Sequence, residues 1–333
     1  MTPPGARASG EDSLIARYFR PLATDPGAFN LIDDAAILAA SGDDLVVTTD
    51  AIVEGVHFLP ADPPDTIARK ALRVNLSDLA AKGAAPAGFV LTLALHKADD
   101  AWLSSFARAL GEDAAAFGCP VLGGDTVSTP GPLMISITAF GRLPPGTMVR
   151  RTGAKAGDRI VVTGTIGDAA LGLDVLRGGK VAAALAGEAA FRDGLIGRYR
   201  VPAPRNALAA TVRDHASAAM DVSDGLAGDL AKLCAASGVS ARIQVDAVPL
   251  SPAARAVLAY GAASLETILA GGDDYEVLCT VAENRLAAFR AGAAAAGVAV
   301  AEIGTVLEGQ AVPAFVDGLG HAIALSRLSY SHF

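Results

Sequence analysis

Apolar runs alternate with longer amphipathic stretches along the whole chain, and that alternation predicts strands followed by helices. SLIARYFR (13–20) reads as a short amphipathic helix, and DDLVVTTD (43–50) as a buried strand ending in polar residues. TIARKALRVNLSDLAAKGA (66–84) has a helical pattern capped by Asp65 and stopped near Gly83 and Pro86. GFVLTLAL (88–95) is a strand, a helix follows from about Trp102 to Phe117, and CPVLGGD (119–125) and PLMISITAFG (132–141) are strands. The stretch LPPGTMVRRTGAKAG (143–157) breaks the rhythm with prolines, glycines and a local run of positive charge, the composition of a domain boundary. Beyond it DRIVVTG (158–164), AAMDV (218–222), SARIQVD (240–246) and YEVLCTV (275–281) are strands among alanine-rich helices. The expectation is a mixed α/β (α+β) protein of two domains, residues 1–145 and 146–333.

Composition narrows the class. The chain has 333 residues, 52% of them hydrophobic and 19% charged, too apolar for a disordered chain. Its mean hydropathy is +0.40, yet the longest apolar stretch (291–301) falls short of the roughly 20 residues a membrane span needs. A net charge of −8 argues against a broad nucleic-acid surface. The opening MTPPGARASGEDSL contains no apolar run suited to an export signal, so a cytoplasmic protein is expected. Three cysteines without a CxxC pair, and only five histidines, exclude a cysteine-rich zinc site and disfavour a multi-histidine centre. The phosphate-loop, kinase, dinucleotide, GxSxG and HExxH signatures are all missing.

The aspartates carry the chemistry. Asp50, Asp125 and Asp221 each close an apolar run, and Asp33–Asp34, Asp78, Asp224 and Asp273–Asp274 lie close by in sequence. Any one of these alone is more often a turn former or helix cap. As a set, with Thr48-Thr49 before Asp50 and Gly123-Gly124 before Asp125, they offer hard oxygen donors suited to Mg²⁺ and backbone N–H groups open to an anion. Carboxylates converging with few counter-ions need divalent cations, which in turn bind phosphates. An acidic protein that binds a polyphosphate through metals is the reading, with Arg150, Arg151 and Lys155 as phosphate contacts or as a solvated linker.

These segments resemble the thiamine-monophosphate kinase family, within the superfamily of aminoimidazole ribonucleotide synthetase and selenophosphate synthetase. The likeness runs nearly end to end, through GEDSLIARYF (10–19), VVTTDAIVEGVHFL (46–59), NLSDLAA (75–81), LGGDT (122–126), RRTGAKAGD (150–158), MDVSDGLAGDL (220–230), GGDDYE (271–276) and YSHF (330–333). The resemblance implies the two-domain fold of aminoimidazole ribonucleotide synthetase, with a β-rich N-terminal domain that forms a homodimer. It implies transfer of phosphate from ATP to thiamine monophosphate, with several Mg²⁺ ions per site. Metal-binding positions of the family match Asp34, Thr48, Thr49, Asp50, Asp78, Asp125, Asp221 and Asp224. ATP contacts match Gly124, Arg151 and Ser223, and contacts to thiamine phosphate match His57, Asp273 and Tyr330. The chain departs from the family at three points. Asn30-Leu31-Ile32 stands for the usual Gly-x-Gly, Asp273 for a common Glu, and Ser331 for the Asp of the terminal motif. Rival readings are another ATP-using enzyme of the superfamily, a non-catalytic nucleotide-binding protein, and a metal-dependent phosphohydrolase.

Overall fold

A strand whose residues alternate between core and solvent needs a partner on at least one edge, and the first strand finds one far along the chain. In the computed structural model, which describes residues 13–33 and 35–329, β1 (Asp44–Val53) pairs antiparallel with β4 (Met134–Leu143), from Asp44 opposite Leu143 to Val53 opposite Met134. β2 (Ala85–Leu95) pairs parallel with β3 (Val121–Ser128). The sheet order is β1-β4-β2-β3, which leaves β1 and β3 at the edges. Helices α1 (Pro64–Ala81) and α2 (Asp100–Ala116) belong to the same half of the chain. Asp65, expected as a cap, lies inside the first turn of α1, because Pro64 at fixed φ starts the helix two residues earlier than expected. The N-cap of α2 is Asp99, whose carboxylate accepts from the Trp102 N–H at 3.0 Å.

The second sheet has the order β10-β7-β9-β5-β8-β6 among the described residues. Its strands are β5 (Arg159–Thr163), β6 (Ala216–Val222), β7 (Ser240–Gln244), β8 (Glu276–Val281), β9 (Val300–Leu307) and β10 (Ala314–Val316). The helices threaded among them are α3 (Asp168–Leu176), α4 (Lys180–Ala184), α5 (Ala189–Arg200), α6 (Ala209–His215), α7 (Leu226–Ser237), α8 (Pro252–Ala259), α9 (Leu265–Leu269) and α10 (Glu283–Ala295). Alternation along each strand separates two cores. Ile160, Val162, Met220, Val222 and Leu278 pack with Leu171 of α3 and Leu230 of α7. Val161, Ala219, Val277 and Cys279 pack with Val212 of α6 and Phe289 of α10. Both faces are covered, so the strands read as nearly continuous apolar runs.

Contacts divide the chain into two units. One holds residues through Asn75 together with Pro86–Pro144; the other holds Leu76–Ala85 and everything from Pro145 onward. The end of α1 therefore packs with the second sheet. Ala80 and Ala81 enter its second core, and the Leu76 carbonyl accepts from the side-chain amide of Asn206 at 3.0 Å. All three cysteines are buried and free, and burial pushes the Cys119 and Cys279 thiols up to about 12 and Cys234 to about 11. Thiols so reluctant to ionise are structural. No helix among the described residues is long and apolar enough to cross a membrane.

Candidate active site

Thr48, Thr49 and Asp50 sit on β1, but Asp50 does not end its strand. β1 continues to Val53, and Asp50 pairs with Ile137 in mid-ladder. Polarity misled here because β1 is an edge strand, where polar side chains are tolerated along the whole length. Period-two alternation puts Thr48 and Asp50 on the face of the buried Val46 and Ile52, and turns Thr49 to the opposite face. Thr49 donates to the Ile137 carbonyl at 3.2 Å and accepts from the Thr138 hydroxyl at 3.0 Å. The backbone N–H of Asp50 donates to Asn75 Oδ1 at 3.1 Å, and the amide of that fully buried asparagine donates to the Ala71 carbonyl at 3.1 Å.

Asp125 likewise lies inside its strand, since β3 runs on to Ser128 beside β2. Gly124 precedes it. A Cβ there would stand 2.1 Å from the Leu91 carbonyl oxygen, so only glycine fits against β2. β4 and β2 separate Asp50 from Asp125, a span of roughly 14 Å at ordinary strand spacing. The two carboxylates are not brought together by the sheet. The chain before Asp33 passes through three successive left-handed residues, Phe29 (φ 48°), Asn30 (φ 54°) and Leu31 (φ 53°), without a glycine to ease them. Asp34 and Tyr330 lie outside the described residues.

In the second unit the expected residues do converge. Asp221 is the penultimate residue of β6, buried, and Ser223 and Asp224 follow in the turn before α7. That turn is stitched to the Gly-Gly-Asp-Asp-Tyr-Glu loop. The Asp273 N–H donates to the Ser223 carbonyl, and the Tyr275 N–H to the Val222 carbonyl, each at 2.8 Å. Asp273 (φ 71°) and Tyr275 (φ 51°) both take left-handed conformations, and the Tyr275 hydroxyl donates to Asp273 Oδ1 at 3.2 Å. Asp274 between them points inward, and Glu276, fully buried, accepts from Thr163 and pairs with Arg198 and Arg205.

Residues that sequence reasoning missed hold this turn in place. The fully buried Asp229 accepts from the N–H groups of Ser223 (3.0 Å) and Asp224 (2.9 Å). Burial raises its carboxyl above the usual range against the pull of Lys232. Lys232 bridges Asp229 and Asp224. Burial opposes its charge, yet the hydrogen bonds to Asp224 and Asp229 hold the ammonium above its ordinary range. Asp78 is half-buried on α1, and its neighbour Ser77 donates to the Tyr275 carbonyl at 3.5 Å. One turn on, Lys82 donates to the Ala219 carbonyl at 2.7 Å. Burial and the Arg151 guanidinium hold that ammonium below the ordinary lysine range, while Asp221 and Asp78 pull the other way. Arg151 is exposed, and its carbonyl accepts from Ser237 at 2.6 Å. The spacing of Asp229, five residues past Asp224, was the signal available for the missed carboxylate.

Two family models cover most of the chain. The N-terminal domain of AIR synthase related proteins matches residues 32–143, and the C-terminal domain matches 155–317. The thiamine-monophosphate kinase of Caulobacter vibrioides is 47% identical over 99% of this chain and 92% of its own length. The chain belongs to the thiamine-monophosphate kinase family. Among solved structures, a kinase of this family from Stenotrophomonas maltophilia superposes with a TM-score of 0.81 at 37% identity, covering 94% of this chain and 96% of its own. AaThiL complexed with AMPPCP and TMP superposes with a TM-score of 0.75 at 30% identity, covering 92% and 97%. The mixed α/β fold of two AIR synthase domains expected from the sequence is the fold observed.

Proposed function

We propose that the chain transfers the terminal phosphate of ATP to the phosphate of thiamine monophosphate, giving thiamine diphosphate and ADP. The observation that carries this reading is the likeness to thiamine-monophosphate kinases over nearly the whole length of both chains. A structural relative complexed with AMPPCP and TMP supports ATP as the donor.

Phosphoryl transfer has a loose transition state, so positioning and charge neutralisation do most of the work. The acceptor is a phosphate oxygen already ionised, and no general base is needed. Mg²⁺ suits the donor set of Asp34, Thr48, Asp50, Asp78, Asp125, Asp221 and Asp224, which is oxygen throughout; the Thr49 hydroxyl, on the opposite face of β1 and bonded to Ile137 and Thr138, stands apart from it. Among the described residues no three His, Cys, Asp or Glu side chains group tightly enough to hold an ion by themselves. Mg²⁺ takes one or two carboxylates and completes its shell with water and substrate phosphates. When bound, the ions would neutralise the two phosphate groups that must meet. The chain's own residues do the rest. Gly124, Arg151 and Ser223 line the nucleotide side, where Ser223 is fixed by Asp229 beneath its backbone. His57, Asp273 and Tyr330 receive thiamine phosphate, with Asp273 balancing the thiazolium charge and Tyr330 offering a stacking face. The assembly is a cytoplasmic homodimer joined through the N-terminal strands.

The test is ADP release measured over a panel of acceptors: thiamine, thiamine phosphate and hydroxymethylpyrimidine phosphate. Thiamine phosphate should turn over fastest, because its phosphate oxygen is already ionised whereas the thiamine hydroxyl must lose a proton to a base. Faster turnover of thiamine would sink the reading. ADP released at the same rate with no acceptor present would replace the kinase with a phosphohydrolase.

A further inference from the structure

One histidine closes the turn after β1 from three sides. The Val53 N–H donates to the ring Nδ1 of His57 at 3.1 Å, while the His57 N–H donates to the Val53 carbonyl at 2.9 Å. Gly55, at φ 80°, lets the chain double back, and its N–H donates to the Phe58 carbonyl at 2.8 Å. The His57 carbonyl accepts from Lys70 Nζ at 2.8 Å. Lys70 is 1% exposed on α1, an unusual place for an ammonium. A buried ammonium needs hydrogen-bond acceptors, and the His57 carbonyl is one of those Lys70 uses.

A ring nitrogen that accepts from a backbone N–H carries no proton. Neutral imidazole has a single N–H, which therefore sits on Nε2. We infer that the fold locks His57 as the Nε2–H tautomer, making it a hydrogen-bond donor that reads an acceptor atom on thiamine phosphate, with Lys70 as its positioning residue. The inference rests on the reading of His57 as a substrate contact. A ring free to exchange tautomers would greet a donor and an acceptor equally; a locked ring discriminates between them. The discrimination is built before substrate arrives, so it is visible in the free protein.

The test begins with wild-type, full-length protein carrying ¹⁵N-histidine. A long-range ¹H–¹⁵N spectrum separates protonated from unprotonated ring nitrogens, and the His57 signal is identified by its loss in His57→Asn. An unprotonated Nδ1 and a protonated Nε2 are expected; an Nδ1–H pattern, an averaged pair or an imidazolium would overturn the inference. Substrate kinetics add a second readout. His57→Asn keeps an acceptor near the Nδ1 position and deletes the Nε2 donor. It should melt like the wild type and raise the KM for thiamine phosphate about tenfold or more. Its KM for ATP should stay within about twofold. His57→Gln, which reaches the Nε2 position with an amide N–H, should recover part of that loss. An unchanged KM in His57→Asn would remove the donor role. For Lys70, the Lys70→Met variant should average the His57 tautomers and raise the same KM, and Lys70→Arg should restore both in part. A lower melting temperature with the tautomer intact would make Lys70 merely structural. A locked tautomer in a protein that does not phosphorylate thiamine phosphate would count against the proposed function, and an averaged tautomer in an active kinase against this inference alone.

Discussion

In the proposed function, Asp50 and Asp125 are carboxylates of the first unit expected to hold Mg²⁺ against the ATP phosphates. Each presents a carboxylate from an edge strand of the first sheet, and each has a structural device beside it. Asn75 fixes the Asp50 backbone, and the glycine-only approach of Gly124 to Leu91 fixes the strand before Asp125. Changing either to Asn keeps the shape and removes one charge that the proposed site needs for its metal ions. Losses of about 10²-fold or more in kcat are expected, by the scale of other single electrostatic contacts in enzymes. Extra Mg²⁺ should recover little. Steady-state kinetics decides it, and near-wild-type rates in both variants would take these aspartates out of the metal set. Both residues were legible in the sequence as carboxylates within apolar runs. Their place along the strand was not, because an edge strand continues through polar residues that a central strand would reject. Asp229 and Lys232 were harder still. Charges inside an amphipathic helix read as a solvated face, and only the fold turns them inward beneath Ser223 and Asp224.

At the scale of elements, the strand-helix alternation of the second half was readable almost throughout, since two covered faces make each strand a short apolar run. What local sequence does not contain is the long-range bond that caps α3. Asp274 accepts from the Gly167 N–H at 2.8 Å and the Ala169 N–H at 3.4 Å, supplying the acceptors that the start of α3 lacks from its own cap, Gly167. The capping carboxylate follows its helix by about a hundred residues, so no capping motif announces it. Burial raises the Asp274 carboxyl well above its usual range, and Asp168 and Glu276 add to the shift. The sign follows. A raised folded value means the native state holds the proton more tightly than the unfolded chain. Asp274 therefore stabilises most at low pH, and its contribution is lost as pH rises from the unfolded value through the raised one. Asp274→Asn keeps a carbonyl acceptor for Gly167 and removes the titration. Its melting temperature relative to the wild type should climb as pH rises across that window. Melting curves at a series of pH values test this, and a difference that shrinks with rising pH would show that Asp274 is stabilised as a carboxylate.

For the whole molecule, the question is what covers the outer edge of the first sheet. β1 has ten residues and lies at the sheet edge. Its face opposite Val46 and Ile52 shows Leu45 at 47% and Val47 at 56% exposure, with Thr49 and Ala51 continuing the line. A long edge strand with exposed apolar residues invites another strand, and proteins that remain monomers usually blunt it with lysine, proline or a bulge. β1 has none of these along Leu45–Val53, whereas its pairing with β4 is unbroken. A second copy of the chain offers the matching edge by two-fold symmetry, the commonest closed arrangement. The exposed edge of β1 thus supports the proposed homodimer. Light scattering at micromolar concentration should give twice 33.5 kDa. Val47→Lys puts a charge in the middle of the exposed row, where a lone chain would feel about 0.5 kcal/mol or less but where lysine on an edge strand discourages pairing with a second strand, the two-fold copy bringing a like charge to the same seam. It should shift the protein to monomer while leaving far-ultraviolet circular dichroism unchanged. A wild-type monomer at micromolar concentration would refute the dimer; a Val47→Lys dimer of undiminished stability would move the interface off β1.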